Sequence, residues 1–143
     1  MINRIRETPK PENTLPRQVI GLAMKVHRTL GCGFVETVYR NALVLELRKA
    51  GIAFECHPIL PVIYDGEEIG VFQADLIIEK KLILELKAVE ALAVAHSVQL
   101  INYLAAAKIE EGLLLNFGTK SLEFKTKNRT ASYKRSAPPD LQS

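Results

Sequence analysis

Residues 70–88 read GVFQADLIIEKKLILELKA, and this stretch decides the fold. It predicts two strands, 69–78 and 82–88, joined by Glu79-Lys80-Lys81. Side chains alternate faces along a strand. One predicted face carries Phe72, Ala74, Leu76 and Ile78, then Leu82, Leu84, Leu86 and Ala88, all apolar and therefore core. The other carries Gln73, Asp75 and Ile77, then Ile83, Glu85 and Lys87. A short loop that pairs Ile78 with Leu82 sets Ile77 against Ile83, Asp75 against Glu85, and Gln73 against Lys87. Opposed carboxylates repel, because such pairs hold their Cβ atoms only ~4.5–5.5 Å apart. A hard divalent cation removes that penalty, since oxygen ligands from both strands can reach one Mg²⁺ at ~2.0–2.1 Å. Lys87 projects from the same face, where it can orient or deprotonate a water or neutralise charge developing on a phosphate. The spacing suits phosphodiester hydrolysis. An exposed sheet face on which Asp, Glu and Lys simply meet solvent reads the same way, so the flanking elements decide.

Upstream of the hairpin, Thr14 can cap a helix with Pro16 in its first turn. Ile20, Ala23, Met24, His27 and Leu30 then recur at helical spacing until Gly31-Cys32-Gly33. A second helix is predicted over 35–50, with Gly51 as its stop. Pro58 and Pro61 make 53–64 an irregular or edge strand, and Asp65-Gly66 is a hairpin turn. Downstream, a helix is expected over 93–107, then short strands over 112–117 and 122–125. The order α-α-β-β-β-α-β-β gives an α+β or mixed α/β domain around a central sheet.

The helices add polar side chains at helical spacing beside apolar stripes. Glu36 lines up with Leu43 and Leu47 beside Tyr39, and a carboxylate there is costly unless something satisfies it. In the last helix His96, Gln99 and Tyr103 share a stripe, next to an apolar one made by Val94, Val98, Ile101 and Ala105. Gln99 and Tyr103 could orient a metal ligand or hold a phosphate. His27 and His57 read as packed side chains rather than catalytic ones.

Composition narrows the class. The 143 residues, 48% hydrophobic and 24% charged, suit one domain with a sizeable core. Cys32 and Cys56 form no CxxC pair, and the histidines supply no zinc cluster, so neither structural zinc nor a disulfide framework is expected. No apolar run reaches the ~18–20 residues of a membrane span, and a cytoplasmic protein is the expectation. The net charge of +3 is uneven: six basic residues (Lys120, Lys125, Lys127, Arg129, Lys134, Arg135) face only Glu123 and Asp140 beyond Gly118. Such a tail is either a solvated, disordered segment or a diffuse attraction for a polyanion.

Taken together, these residues resemble the PD-(D/E)XK nuclease superfamily and, more narrowly, the small proteins named for a GxxExxY motif. That motif stands here as Gly33-Phe34-Val35-Glu36-Thr37-Val38-Tyr39. The nuclease signature is similar to Asp75 followed by Glu85-Leu86-Lys87, and the next helix offers Gln99-Leu100-Ile101-Asn102-Tyr103, like the Gln-xxx-Tyr helix of some branches. Ala74 stands where the superfamily's name has proline, a position that does no chemistry. The resemblance implies a restriction-endonuclease-like core, with a central mixed sheet flanked by helices. It also implies that Glu36 joins Asp75 and Glu85 around Mg²⁺ or Mn²⁺, with the Leu86 carbonyl as a further ligand. Lys87 would then assist the water, while Gln99, Tyr103 and Tyr39 support the site. The expected organisation is a loose arm over 1–13, one domain over 14–125 and a basic tail over 126–143. The expected activity is metal-dependent hydrolysis of DNA or RNA, and the rival is a catalytically inactive module that binds nucleic acid or a protein partner. No membrane partner is expected, and a homodimer is left open.

Overall fold

Gly31 and Gly51 both take a φ of 70°, a left-handed turn that glycine makes without strain, directly after the first two helices. Those helices are α1, Leu15–Leu30, and α2, Glu36–Lys49. Thr14 begins α1 through its carbonyl, which accepts the Gln18 N–H at 2.9 Å. The computed structural model describes residues 14–129. Beyond α2 come β1 (Phe54–Cys56), β2 (Ile59–Tyr64), β3 (Glu67–Gln73), β4 (Leu76–Ile78), β5 (Leu82–Lys87), α3 (Val94–Ala107), β6 (Glu111–Asn116) and β7 (Glu123–Asn128).

Five strands form one sheet in the order β1-β4-β5-β6-β7, and β2 pairs with β3 in a separate two-stranded sheet. Only β5 and β6 run parallel within the larger sheet, and α3 is the crossover that such a pair requires. α1 and α2 bury one face of this sheet against Leu76, Ile78, Leu82, Leu84 and Leu86. α3 buries the other, packing Leu100 and Leu104 on Ile77, Ile83 and Leu114. A central strand covered on both faces reads as a near-continuous apolar run, and β5 does. The mixed sheet flanked by helices is the fold that the sequence led us to expect.

Three details differ from that expectation. The single strand over 69–78 is broken at Ala74-Asp75, because the facing strand bends at His57-Pro58. His57 has a φ of 54° and Pro58 has no N–H to donate. The bend is held by Ala74 N–H donating to the Pro58 carbonyl at 3.2 Å and His57 N–H donating to the Asp75 carbonyl at 3.0 Å. Gln73 therefore lies opposite Ile59 and not Lys87. Phe72 and Ala74 leave the face of Leu76 and Ile78: Ala74 packs with Ile77 and Ile83, and Phe72 stacks on Tyr103 with ring centroids 4.2 Å apart.

In α3 the buried stripe is Ser97, Leu100 and Leu104, whereas Val94 and Val98 are exposed. The helix is apolar on two adjacent stripes, and tertiary packing selects one of them. His96 accepts the Ala93 N–H at 3.0 Å through Nδ1 and so secures the start of the helix. Finally, β7 runs to Asn128, so Thr126, Lys127 and Asn128 belong to the sheet and not to a tail beginning at 126. The expected arm over 1–13, and the expected tail from 130 onward, lie outside the described residues.

The turn after β5 is fixed by a residue the sequence reading passed over. Asn116, fully buried, accepts N–H bonds from Val89 and Gly118 through Oδ1, both at 3.0 Å, and donates to the Val89 carbonyl at 2.9 Å. Gly118 lies so close that a Cβ there would collide with the backbone of Ala88 and Val89. Gly118→Ala should cost about 1–3 kcal/mol, as overpacking a rigid site does. Equilibrium urea unfolding reads this directly, and a wild-type midpoint would show that the turn has slack.

Candidate active site

Asp75 enters β4 just before its first ladder pair, Leu76 with Leu84, and Glu85 follows Leu84 in β5. The two acids meet through the backbone of each other's strand. Asp75 N–H donates to Glu85 Oε1 at 3.2 Å, and Leu86 N–H donates to Asp75 Oδ2 at 2.8 Å. The short Glu79-Lys80-Lys81 loop sets this register, with Ile78 opposite Leu82 and Ile77 opposite Ile83.

Glu85 points to the face that α3 covers and is only 6% exposed. Burial, and then the negative charge of Asp75, push its carboxyl up to about 8; the Asp75 N–H and the charge of Lys87 work against the rise. Lys87, half-buried, stands two residues beyond Glu85 on the same face of β5. Tyr103 of α3 is held above the usual phenol range by partial burial and by the charges of Glu85 and Asp75. Asp75, Glu85, Leu86, Lys87 and Tyr103 thus gather around one spot. Gln99, one turn before Tyr103, is exposed.

The expected third acid does not join them. Among the described residues no three His, Cys, Asp or Glu side chains are grouped so as to hold a metal ion. Glu36 is half-buried at the first turn of α2, lining a depression with Ala88 just past Lys87. The side chain that does reach the pair from α2 is Arg40, one turn further on, whose Nη1 lies 3.2 Å from Asp75 Oδ1. The sequence reading missed Arg40. The available signal was its i+4 spacing from Glu36, which puts both on one helix face. Tyr39 instead faces inward. Its hydroxyl donates to the Gly31 carbonyl at 2.6 Å and accepts the Phe34 N–H at 3.2 Å, and its ring stacks on Phe117. It pins the loop before α2, away from the acids. His27 is likewise a packing residue, buried, with Nε2 2.8 Å from the Thr119 carbonyl oxygen.

This donor set fits a hard divalent cation in one specific respect. Two carboxylates are brought together beside one guanidinium, and the more buried acid, Glu85, is pushed toward its protonated form by burial and by the charge of Asp75. Oxygen donors that crowd in this way are the ligands such ions take.

A profile of the PD-(D/E)XK nuclease superfamily matches residues 13–129. No curated protein matches the chain. Among solved structures, the crystal structure of SSO0001 superposes with a TM-score of 0.51 at 21% identity, over 64% of this chain. The chain spans about half the length of that neighbour, 48%. An alkaline exonuclease from Laribacter hongkongensis superposes with a TM-score of 0.52 at 8% identity, over 85% of this chain and 73% of its own. At these identities the two neighbours speak to the fold alone.

Proposed function

This chain belongs to the PD-(D/E)XK nuclease superfamily, and on that premise we propose that it hydrolyses phosphodiester bonds in DNA or RNA with a divalent cation, Mg²⁺ or Mn²⁺. The observation that carries the reading is the acid pair, partly buried Asp75 with buried Glu85, beside Lys87. Asp75, Glu85 and the Leu86 carbonyl would hold the ion. Glu36, which stands off from the pair on the face of α2 that Arg40 shares, would have to swing in to serve as a further ligand. A bound divalent ion supplies positive charge to the phosphate and lowers the pKa of a water.

The chain's own groups do the rest. Lys87 orients the attacking water or meets charge developing on the phosphate. Tyr103, its ring stacked on Phe72, has a hydroxyl that can donate to substrate at the edge of the site. Gln99 lies at the exposed end of the same stripe, where it can contact substrate. Tyr39 contributes indirectly, by fixing the loop that leads into Glu36. Within the superfamily, the motif at 33–39 supports our reading of the chain as one of the GxxExxY proteins.

A second reading, a nuclease fold that binds nucleic acid or a protein partner without catalysis, draws on one observation: Arg40 stands at Asp75 where, among the described residues, no third acid does. Labelled single-stranded, duplex and branched DNA and RNA, each with Mg²⁺, Mn²⁺ or a chelator, separate the two. Cleavage that the chelator stops is the expected result. Binding without cleavage under every condition would favour the second reading. Mg²⁺ or Mn²⁺ should also raise the melting temperature by mass action, more as the ion concentration rises. An unchanged melting curve would argue against an ion at this pair.

A further inference from the structure

Arg40 is held by the acid pair in a way that leaves most of its capacity unused. A guanidinium carries five N–H donors in a fork that matches a carboxylate through two bonds at once. Among the described residues one polar contact is made, Nη1 to Asp75 Oδ1 at 3.2 Å, longer than the ~2.7–2.9 Å of a strong charge-assisted bond. The pair is nonetheless sheltered, with side-chain exposures of 13% for Arg40 and 16% for Asp75. Arg40 Nε is buried and has no hydrogen-bond partner among the described residues. Asp75 meets Arg40 through Oδ1, while its Oδ2 is turned to the Leu86 N–H at 2.8 Å. A fixed structural arginine at this depth would be expected to have its donors satisfied.

From this geometry we infer that Arg40 is a displaceable counter-ion of the acid pair: it balances Asp75 when no divalent cation is bound, competes with the cation for Asp75 Oδ1, and once displaced presents its free donors to a phosphate of the substrate. The inference rests on the metal-dependent reading above and adds to it a residue that couples cation binding to substrate binding. The physical basis is charge. A divalent ion on Asp75 and a guanidinium on the same oxygen repel each other, so one leaves as the other arrives. The displaced guanidinium stays on α2, one turn from Glu36, with a planar fork suited to phosphate oxygens.

The test is Mn²⁺ binding by isothermal titration calorimetry, together with melting curves with and without Mn²⁺. It compares wild type, Arg40→Gln and Arg40→Met, the last of which keeps the alkyl stem. Removing the competing charge should tighten Mn²⁺ binding at least about tenfold in both variants. The melting gain on adding Mn²⁺ should be larger than in wild type, because the metal-free variants leave Asp75 without its guanidinium. A variant that is unfolded alone but folds on adding Mn²⁺, seen by circular dichroism, would be the extreme form of the same result. If wild type binds Mn²⁺ and the variants bind no tighter, or stay unfolded with it, Arg40 is a fixed structural partner: the inference is overturned while the metal-dependent reading stands. If neither wild type nor folded variants bind Mn²⁺, that reading itself fails and this inference with it.

Discussion

Replacing Glu85 with Gln should make the metal-free protein more stable than wild type at pH 8, and should remove most of the wild type's loss of stability between pH 5 and pH 8. The folded Glu85 carboxyl holds its proton up to about pH 8 against an ordinary value of 4.5, with burial as the main cause and the charge of Asp75 second. Between those two values the unfolded chain has released a proton that the folded chain still binds. Stability therefore falls as pH rises through this window, by about 1.4 kcal/mol for each pH unit at most. Below the window both states are protonated and the group costs nothing; above it the penalty, on the order of a few kcal/mol, is complete. Gln has nearly the same shape, keeps an oxygen to accept the Asp75 N–H, and does not titrate. Urea unfolding in chelator at several pH values should give a falling curve for wild type and a flatter one for Glu85→Gln, the two converging near pH 4.5. Divalent cation should reverse the ranking at pH 8, because it favours the ionised wild-type acid and loses a ligand in the variant. Parallel curves would mean that Glu85 is ionised in the folded protein and that the buried-acid account is wrong. Asp75→Asn is a poorer probe of the same repulsion, since it also strips Arg40 of its partner at a sheltered site.

Much of this site was legible because a three-residue loop leaves little freedom of register. Once Ile78 opposes Leu82, Asp75 and Glu85 must approach one another, and the alternation of β5 puts Lys87 with Glu85. What could not be read depended on partners distant in sequence. The break at Ala74-Asp75 is imposed by His57 and Pro58 on the facing strand, so the alternation over 69–78 gave a faultless but wrong face to Phe72 and Ala74. The stripe of α3 was ambiguous for a related reason. Val94 and Val98 are as apolar as Leu100 and Leu104, and only docking on Ile77, Ile83 and Leu114 chooses between them. Arg40 gave no apolar or motif signal, because an arginine on a helix is ordinarily solvated. Tyr39 gave a motif signal whose meaning is architectural: the same spacing that sets Glu36 at the start of α2 ties the preceding loop to the core.

Lys87→Ala separates chemistry from affinity, and its expected effect on rate is large. Lys87 sits at the end of β5, near enough to Glu85 for its charge to counter the rise in that acid's pKa. A charged group so placed acts on the water or on the phosphate, and losing it should slow cleavage about 10²–10⁴-fold. Affinity for nucleic acid should change little, because one lysine among many basic groups contributes a small share of the counterion release that drives binding. Filter binding or fluorescence anisotropy in chelator reads affinity, and single-turnover cleavage with Mn²⁺ reads the rate. The converse change is removal of residues from 130 onward, which carries away the charges of Lys134 and Arg135. The cut must fall there and not after Phe124, since β7 continues to Asn128 and Arg129 pairs with Glu110 at 2.6 Å. That truncation should weaken binding and flatten its salt dependence while leaving the rate at saturating substrate intact. Full cleavage by Lys87→Ala, with contaminating nuclease excluded by an inactive Glu85→Gln control, would remove Lys87 from the chemistry. The Glu85-Leu86-Lys87 match would then mark shared ancestry of fold alone, and the non-catalytic binding module would become the better reading.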